Sequence, residues 1–216
     1  MCGRIFVDQT SGATDVLKLV GLEHYQLPTH HNLAPTEPVP VIFTHEGGVD
    51  LAPMRWWLHP AWSPEPPNQK FAMFNARIET LLTSRAYKGP SQYRRGIVPA
   101  AGFVEWQKTP AGKQPYYITG EEDVLRLAAV WECWQEQVWS CSIITQPASA
   151  EFEPIHNRMP LSLNNEQMLQ WLDHRQNPQA LVNDLYGVSS PLTARRIDRS
   201  VNNARHKEPV HYVPNG

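Results

Sequence analysis

Residues 96–145 hold four β-type segments in succession, and this run most constrains the fold. Residues 96–107, 114–119, 125–134 and 138–145 are rich in Val, Ile, Trp, Tyr and Thr, and a short polar hairpin joins the last two. A further strand is expected over residues 4–7. Another pair, 39–44 and 49–57, folds about Glu46-Gly47-Gly48. Helix signals are fewer. Ser11 stands ahead of an apolar stripe at 15–20, and residues 75–82 carry a helical spacing that puts Asn75 at a helix entrance. Asn164 with Gln167 forms a capping box, and Asn177-Pro178 opens a last helix before a final strand at 191–198 and a loose tail after Lys207. Strands that outnumber helices and come in runs predict an α+β fold: a curved, partly closed, barrel-like antiparallel β-sheet with flanking helices.

At 216 residues the chain is long enough for a substantial core, and we expect one domain spanning 1–216. Forty-one per cent hydrophobic residues with eight Trp and twenty Pro describe a loop-rich globular protein. Residues 58–70, with four prolines, predict a surface loop. No apolar run approaches the length of a membrane span, and no basic-then-apolar leader precedes the first strand, so no membrane association is expected. Three cysteines (Cys2, Cys133 and Cys141) with no CxxC pair suit a reducing cytoplasm. Cys133 and Cys141 sit in apolar runs and read as core.

The chain opens Met1-Cys2-Gly3-Arg4. Initiator methionine is normally trimmed before a small residue. Its loss would place a free α-amine and a thiol on adjacent carbons, a 1,2-aminothiol that no internal cysteine can supply. The amine titrates near about 8 and the thiol near about 8.5, so both are partly nucleophilic at neutral pH. Amine and aldehyde give an imine, which the thiol then closes to a thiazolidine. Alternatively, the thiol attacks a carbonyl with the amine as its base.

Two further groups carry proton-transfer chemistry. Glu105 lies within the apolar run Gly102-Phe103-Val104-Glu105-Trp106, where burial would raise its pKa; strand alternation equally allows it to face solvent. His156, in Pro154-Ile155-His156-Asn157-Arg158, is either a proton shuttle near neutral pH or an exposed loop residue. Net charge is −2, yet the basic residues cluster: Arg77, Arg85, Lys88, Arg94 and Arg95, then Arg195, Arg196, Arg199, Arg205 and Lys207. Such clusters are either solvated surface or an anion-binding face. Trp56, Trp57 and Trp62 offer core packing or base-stacking surfaces. No spacing suits a metal, and there is no phosphate-cradling glycine loop or nucleophile elbow, so no metal and no cofactor is expected.

Five motifs occur in order: Met1-Cys2-Gly3-Arg4, Asn32-Leu33-Ala34-Pro35-Thr36, Asn75-Ala76-Arg77-Ile78-Glu79-Thr80, Gly102-Phe103-Val104-Glu105-Trp106 and His156-Asn157-Arg158-Met159-Pro160. Together they resemble the SOS-response-associated peptidase (SRAP) family, also described as abasic-site processing proteins, from Met1 to about residue 205. The resemblance implies a protein of the DNA damage response. It would bind single-stranded DNA as a monomer and crosslink covalently through Cys2 to the aldehyde of an abasic site. It also implies possible lyase chemistry through the imine, and a peptidase or hydrolase activity that includes self-removal of Met1. On this resemblance Cys2, Asn75, Glu105 and His156 are catalytic. Asn75 orients Cys2 and the opened sugar, Glu105 acts near the α-amine, and His156 serves ring opening or imine protonation. Arg4, Arg77, Arg85 and Arg158 hold phosphates, Asn32, Pro35 and Thr145 line the DNA path with Pro35 as a wedge, and Trp62 stacks on a base. One stretch departs from the pattern: the family usually has glycine where this chain has Trp57, and a proline-rich insertion follows Trp62.

Two other classes compete. An N-terminal-nucleophile hydrolase, peptidase or glutamine amidotransferase, would also use Cys2, although the amidotransferase lacks its further motifs here. A passive single-stranded-DNA binder would use only the Arg and Trp surfaces.

Overall fold

The computed structural model describes residues 2–188 and 190–214. The α+β expectation holds, and two β-sheets carry the fold. The larger is built from β3 (Pro38–His45), β4 (Gly48–Arg55), β6 (Arg95–Ala100), β9 (Leu125–Trp134) and β10 (Val138–Pro147), extended by β5 (Asn75–Arg77), β11 (Arg158–Pro160) and β12 (Ser162–Leu163). The pairings β4–β3, β3–β6, β6–β9 and β9–β10 are antiparallel. A single parallel bridge, Ser140 with Arg55, joins β10 back to β4 and closes the ring. β9 is buried along almost its whole length, as a strand covered on both faces must be. The smaller sheet runs β13 (Leu192–Arg196), β8 (Gly112–Gly120), β7 (Gly102–Thr109), β1 (Arg4–Val7), β2 (His30–Leu33).

The run 96–107, expected as one strand, is two. Its halves belong to different sheets, and the change occurs at Ala101, whose N–H donates to the Phe6 carbonyl at 2.8 Å. Gly102 opens the second half because a β-carbon there would stand about 2.5 Å from the Tyr117 ring, closer than real contacts allow. β1 therefore lies between β7 and β2, with Arg4 opposite Val104 and Ile5 opposite both Phe103 and Leu33. That placement delivers Cys2 to the core, where it is fully buried.

Among the described residues four α-helices flank the sheets. The first, α1, spans Ser11–Leu19 and is capped by Thr10 rather than Ser11: the Thr10 hydroxyl accepts from Ala13 N–H and donates to the Asp123 carbonyl. A short α2 (Lys88–Tyr93) precedes β6. The Asn164–Gln167 capping box begins α3 (Asn165–Leu172), and Asn177 caps α4 (Pro178–Leu185). Trp171 of α3 donates its indole N–H to the carbonyls of Gly96 and Ala129, fixing the helix on the ring. Residues 58–70 form an irregular loop, as the prolines require.

The helix expected over 75–82 does not form from Asn75. Residues 75–77 are extended and pair in parallel with Ile143, Ile144 and Thr145, and only Ile78–Thr80 makes a single 3₁₀ turn. The apolar spacing that suggested a helix instead buries Ala76, Ile78 and Leu81 around this strand-to-turn junction. Tertiary pairing overrides a weak local preference.

Candidate functional site at the start of the first strand

Asn75, Cys2 and Glu105 meet where β1 begins. Asn75 Nδ2 donates to the Cys2 carbonyl at 3.1 Å, while its own carbonyl accepts from the Tyr87 hydroxyl at 3.4 Å. The side-chain oxygen of Asn75 is buried and has no hydrogen-bond partner among the described residues. Glu105 is 3% exposed, so of the two orientations open to it the inward one is realised. Its carboxylate accepts from Trp106 N–H at 3.1 Å. Burial, and after it the negative charge of Glu105, pushes the Cys2 thiol well above its ordinary range. Cys2 is thus held by its backbone, with its thiol buried beside Glu105. Removing the Glu105 charge should lower the thiol pKa, so in Glu105→Gln the pH profile of Cys2 alkylation moves to lower pH. Half-exposed Cys133 serves as the internal standard in a mass-resolved iodoacetamide time course.

His156 lies half-buried just before β11, and Arg158 N–H reaches its Nδ1 at 3.0 Å. The same Nδ1 stands 3.2 Å from the Arg158 carbonyl, so the ring tautomer sets which of the two backbone groups it bonds. At Thr145 the strand β10 is paired on one side with Arg77 and on the other with Pro160, which draws the motifs around Asn75 and His156 together. Arg158 is engaged there: its guanidinium grips Glu79 with both Nη atoms and also donates to the Thr145 carbonyl at 2.7 Å and hydroxyl at 3.2 Å. It is 9% exposed.

Arg77 and Arg85 are exposed. Arg85 stacks 4.0 Å above the ring of Trp62, which is itself 51% exposed. The Trp57 departure is accommodated by packing on Phe74, with ring centroids 5.3 Å apart. Arg4 lies over the Trp106 ring at 5.7 Å and bonds to the Gly3 carbonyl.

Asn32 is fully buried at φ +53°, and its amide nitrogen reaches the carbonyls of Val201, Asn203 and His206. No local signal in the sequence pairs Asn32 with residues so distant. Lys207 completes the tie, bonding the Asn32 carbonyl and the Glu37 carboxylate. Next to Asn32, residues 34–37 form a type II turn, with Glu37 N–H donating to the Ala34 carbonyl and Pro35 at the first central position. Thr36 occupies the second at φ +84°, where glycine or asparagine is usual and a β-branched residue is strained. Thr36→Gly should raise stability in chemical denaturation by about 0.5–1 kcal/mol, relief of strain exceeding the extra freedom glycine gives the unfolded chain.

Comparison with known proteins decides the family. The model for SRAP, SOS response associated peptidase, matches residues 1–204. The chain belongs to this family. Among its SRAP relatives, an abasic site processing protein HMCES from Gallus gallus is 32% identical over a match covering 76% of this chain and 57% of that protein. The chain thus spans little more than half the length of that relative. The abasic site processing protein YoqW of Bacillus subtilis is 26% identical, with 97% of each chain covered. A crystal structure of a Bacteroides thetaiotaomicron protein superposes with a TM-score of 0.76 over 96% of this chain and 100% of that one, at 22% identity, and so shares the fold. Among the described residues no helix is long and apolar enough to cross a membrane.

Proposed function

We propose that this SRAP chain processes abasic sites in single-stranded DNA by forming a covalent bond through Cys2 once Met1 has been removed. The observation that carries this reading is the convergence of Cys2, Asn75 and Glu105 at one buried point, in a chain whose relatives are named abasic site processing proteins. The chemistry follows from the order in which the two nucleophiles become available. On this reading Cys2 attacks first through the α-amine that the loss of Met1 frees. That nitrogen bonds to C1′ of the ring-opened sugar, and the carbonyl oxygen leaves as water to give an imine. The thiol sulfur then adds to the imine carbon, and its proton passes by way of Glu105 to the ring nitrogen. The product is a thiazolidine, and no oxidant or cofactor is consumed. Asn75 Nδ2 fixes the Cys2 backbone so that both nucleophiles face one carbon, and Oδ1 accepts from the sugar or the amine. His156 supplies the proton for ring opening or imine formation.

For the DNA path, exposed Arg77 and Arg85 and half-buried Arg4 meet phosphates, and Trp62, backed by Arg85, offers a face to a base. Arg158, Thr145 and Asn32 act from behind this surface: the first two hold β5 and β11 together, and Asn32 braces the Pro35 turn that wedges between bases. The hydrolase alternative has less behind it, because the relatives this chain matches are named abasic site processing proteins. Asn75→Ala should slow adduct formation about 10- to 100-fold, the equivalent of losing one buried hydrogen bond of about 1.5–3 kcal/mol. Single-turnover gels with an abasic oligonucleotide measure this, and an unchanged rate would remove Asn75 from the mechanism.

A further inference from the structure

The second basic cluster, around residues 195–207, has no part in the chemistry above, and the fold gives it an unexpected neighbour. The Arg199 guanidinium donates to the Ala111 carbonyl at the tip of the β7–β8 hairpin, and Arg196 donates to the Gln114 side chain one strand in. On that hairpin Lys108 and Lys113 are directly opposite each other. Like charges at opposed cross-strand positions repel, and neither lysine has an ion-pair partner among the described residues.

The basic face is continuous with the site. Strand alternation puts Trp106 on the same face of β7 as Lys108, and Arg4 stacks on Trp106. A hollow of about 310 Å³ lies between Trp106, Lys113 and Asn202. From Arg4 beside Cys2, cations therefore extend along the hairpin to Lys113, Lys108 and Arg199.

We propose that this hairpin is a second nucleic-acid surface, holding the phosphates of one flank of the DNA strand whose lesion sits at Cys2. The proposal rests on the abasic-site reading for the position of the lesion, but the surface itself is a property of the hairpin. It makes binding asymmetric: DNA extended from the lesion in one direction gains the hairpin, and DNA extended in the other does not.

The test uses the full chain carrying Cys2→Ala, so that only non-covalent binding is read, with and without Lys108→Ala and Lys113→Ala together. Fluorescence anisotropy is recorded for single-stranded abasic oligonucleotides extended only on the 5′ side or only on the 3′ side. We expect the double lysine variant to lose roughly ten-fold in affinity for one series and little for the other. For the affected series the slope of log K against log salt should fall by about 1.4, from two lost phosphate contacts. Thermal stability should be unchanged or higher, since a repulsive pair has gone. Equal losses for both series would reveal only a general charge effect and overturn the proposal, as would an unchanged salt slope. Adduct formation is read separately in the Cys2 background. If no adduct forms while the one-sided loss persists, the crosslinking reading fails and the hairpin surface stands.

Discussion

Without a reductant, Cys2→Ala should abolish the denaturation-resistant adduct with abasic single-stranded DNA while leaving non-covalent binding nearly intact. The two properties separate because Arg77 and Arg85, the residues proposed to face phosphates, are exposed on other elements and do not depend on the buried thiol. Cys2→Ser sharpens the point. Serine keeps the α-amine and so can still form the imine, but its hydroxyl is a far poorer nucleophile for closing the ring. The serine variant should therefore give an adduct that is trapped by borohydride and hydrolyses without it, whereas the native chain needs no reductant. Denaturing gels run with and without borohydride make the comparison. A passive DNA binder would show no adduct in any of the three proteins.

The second large effect concerns stability. Arg158 satisfies Glu79 and the Thr145 carbonyl from a nearly buried position. Arg158→Met keeps the volume but leaves the carbonyl without this donor and the carboxylate without its cation. We expect a loss of about 2–4 kcal/mol, at the lower end of the cost of breaking a buried pair because Glu79 retains some contact with water. Arg158→Lys keeps the charge and loses the two-pronged grip, so it should fall between. The pH dependence gives an independent check. Burial raises the Glu79 pKa, but the Arg158 hydrogen bonds and charge, with help from Arg77, outweigh it and the net direction is down. A depressed carboxylate contributes stability that is present above its unfolded pKa of about 4.3 and is lost as pH falls through the folded value. Urea midpoints measured from neutral to acid pH should show this loss in the native chain and a much smaller one in Arg158→Met.

Much of this architecture is legible in the sequence. Residues 4–7 and 125–134 form strands at the expected bounds, because each is a β-rich run ended by turn formers or polar residues. The capping box at Asn164 and the proline at 178 mark helices through local chemistry, and local chemistry is what a sequence displays. The misreadings share one cause. Asn75 sits in a strand because Ile143–Thr145 supply a distant partner, and 96–107 divides because its halves answer to different sheets. Cys2 and Glu105 stood out in the sequence by their own chemistry. Their meeting at Asn75, like the grip of Arg158 on Glu79 and of Asn32 on residues 201–206, exists only once distant strands have paired.

The most direct test of the central claim is the intact mass of the protein, alone and after mixing with single-stranded DNA bearing one abasic site. The account predicts a chain lacking Met1 and then a species equal to protein plus DNA minus one water, stable to denaturation and absent in Cys2→Ala. A chain that begins at Cys2 yet gives no such species would contradict it.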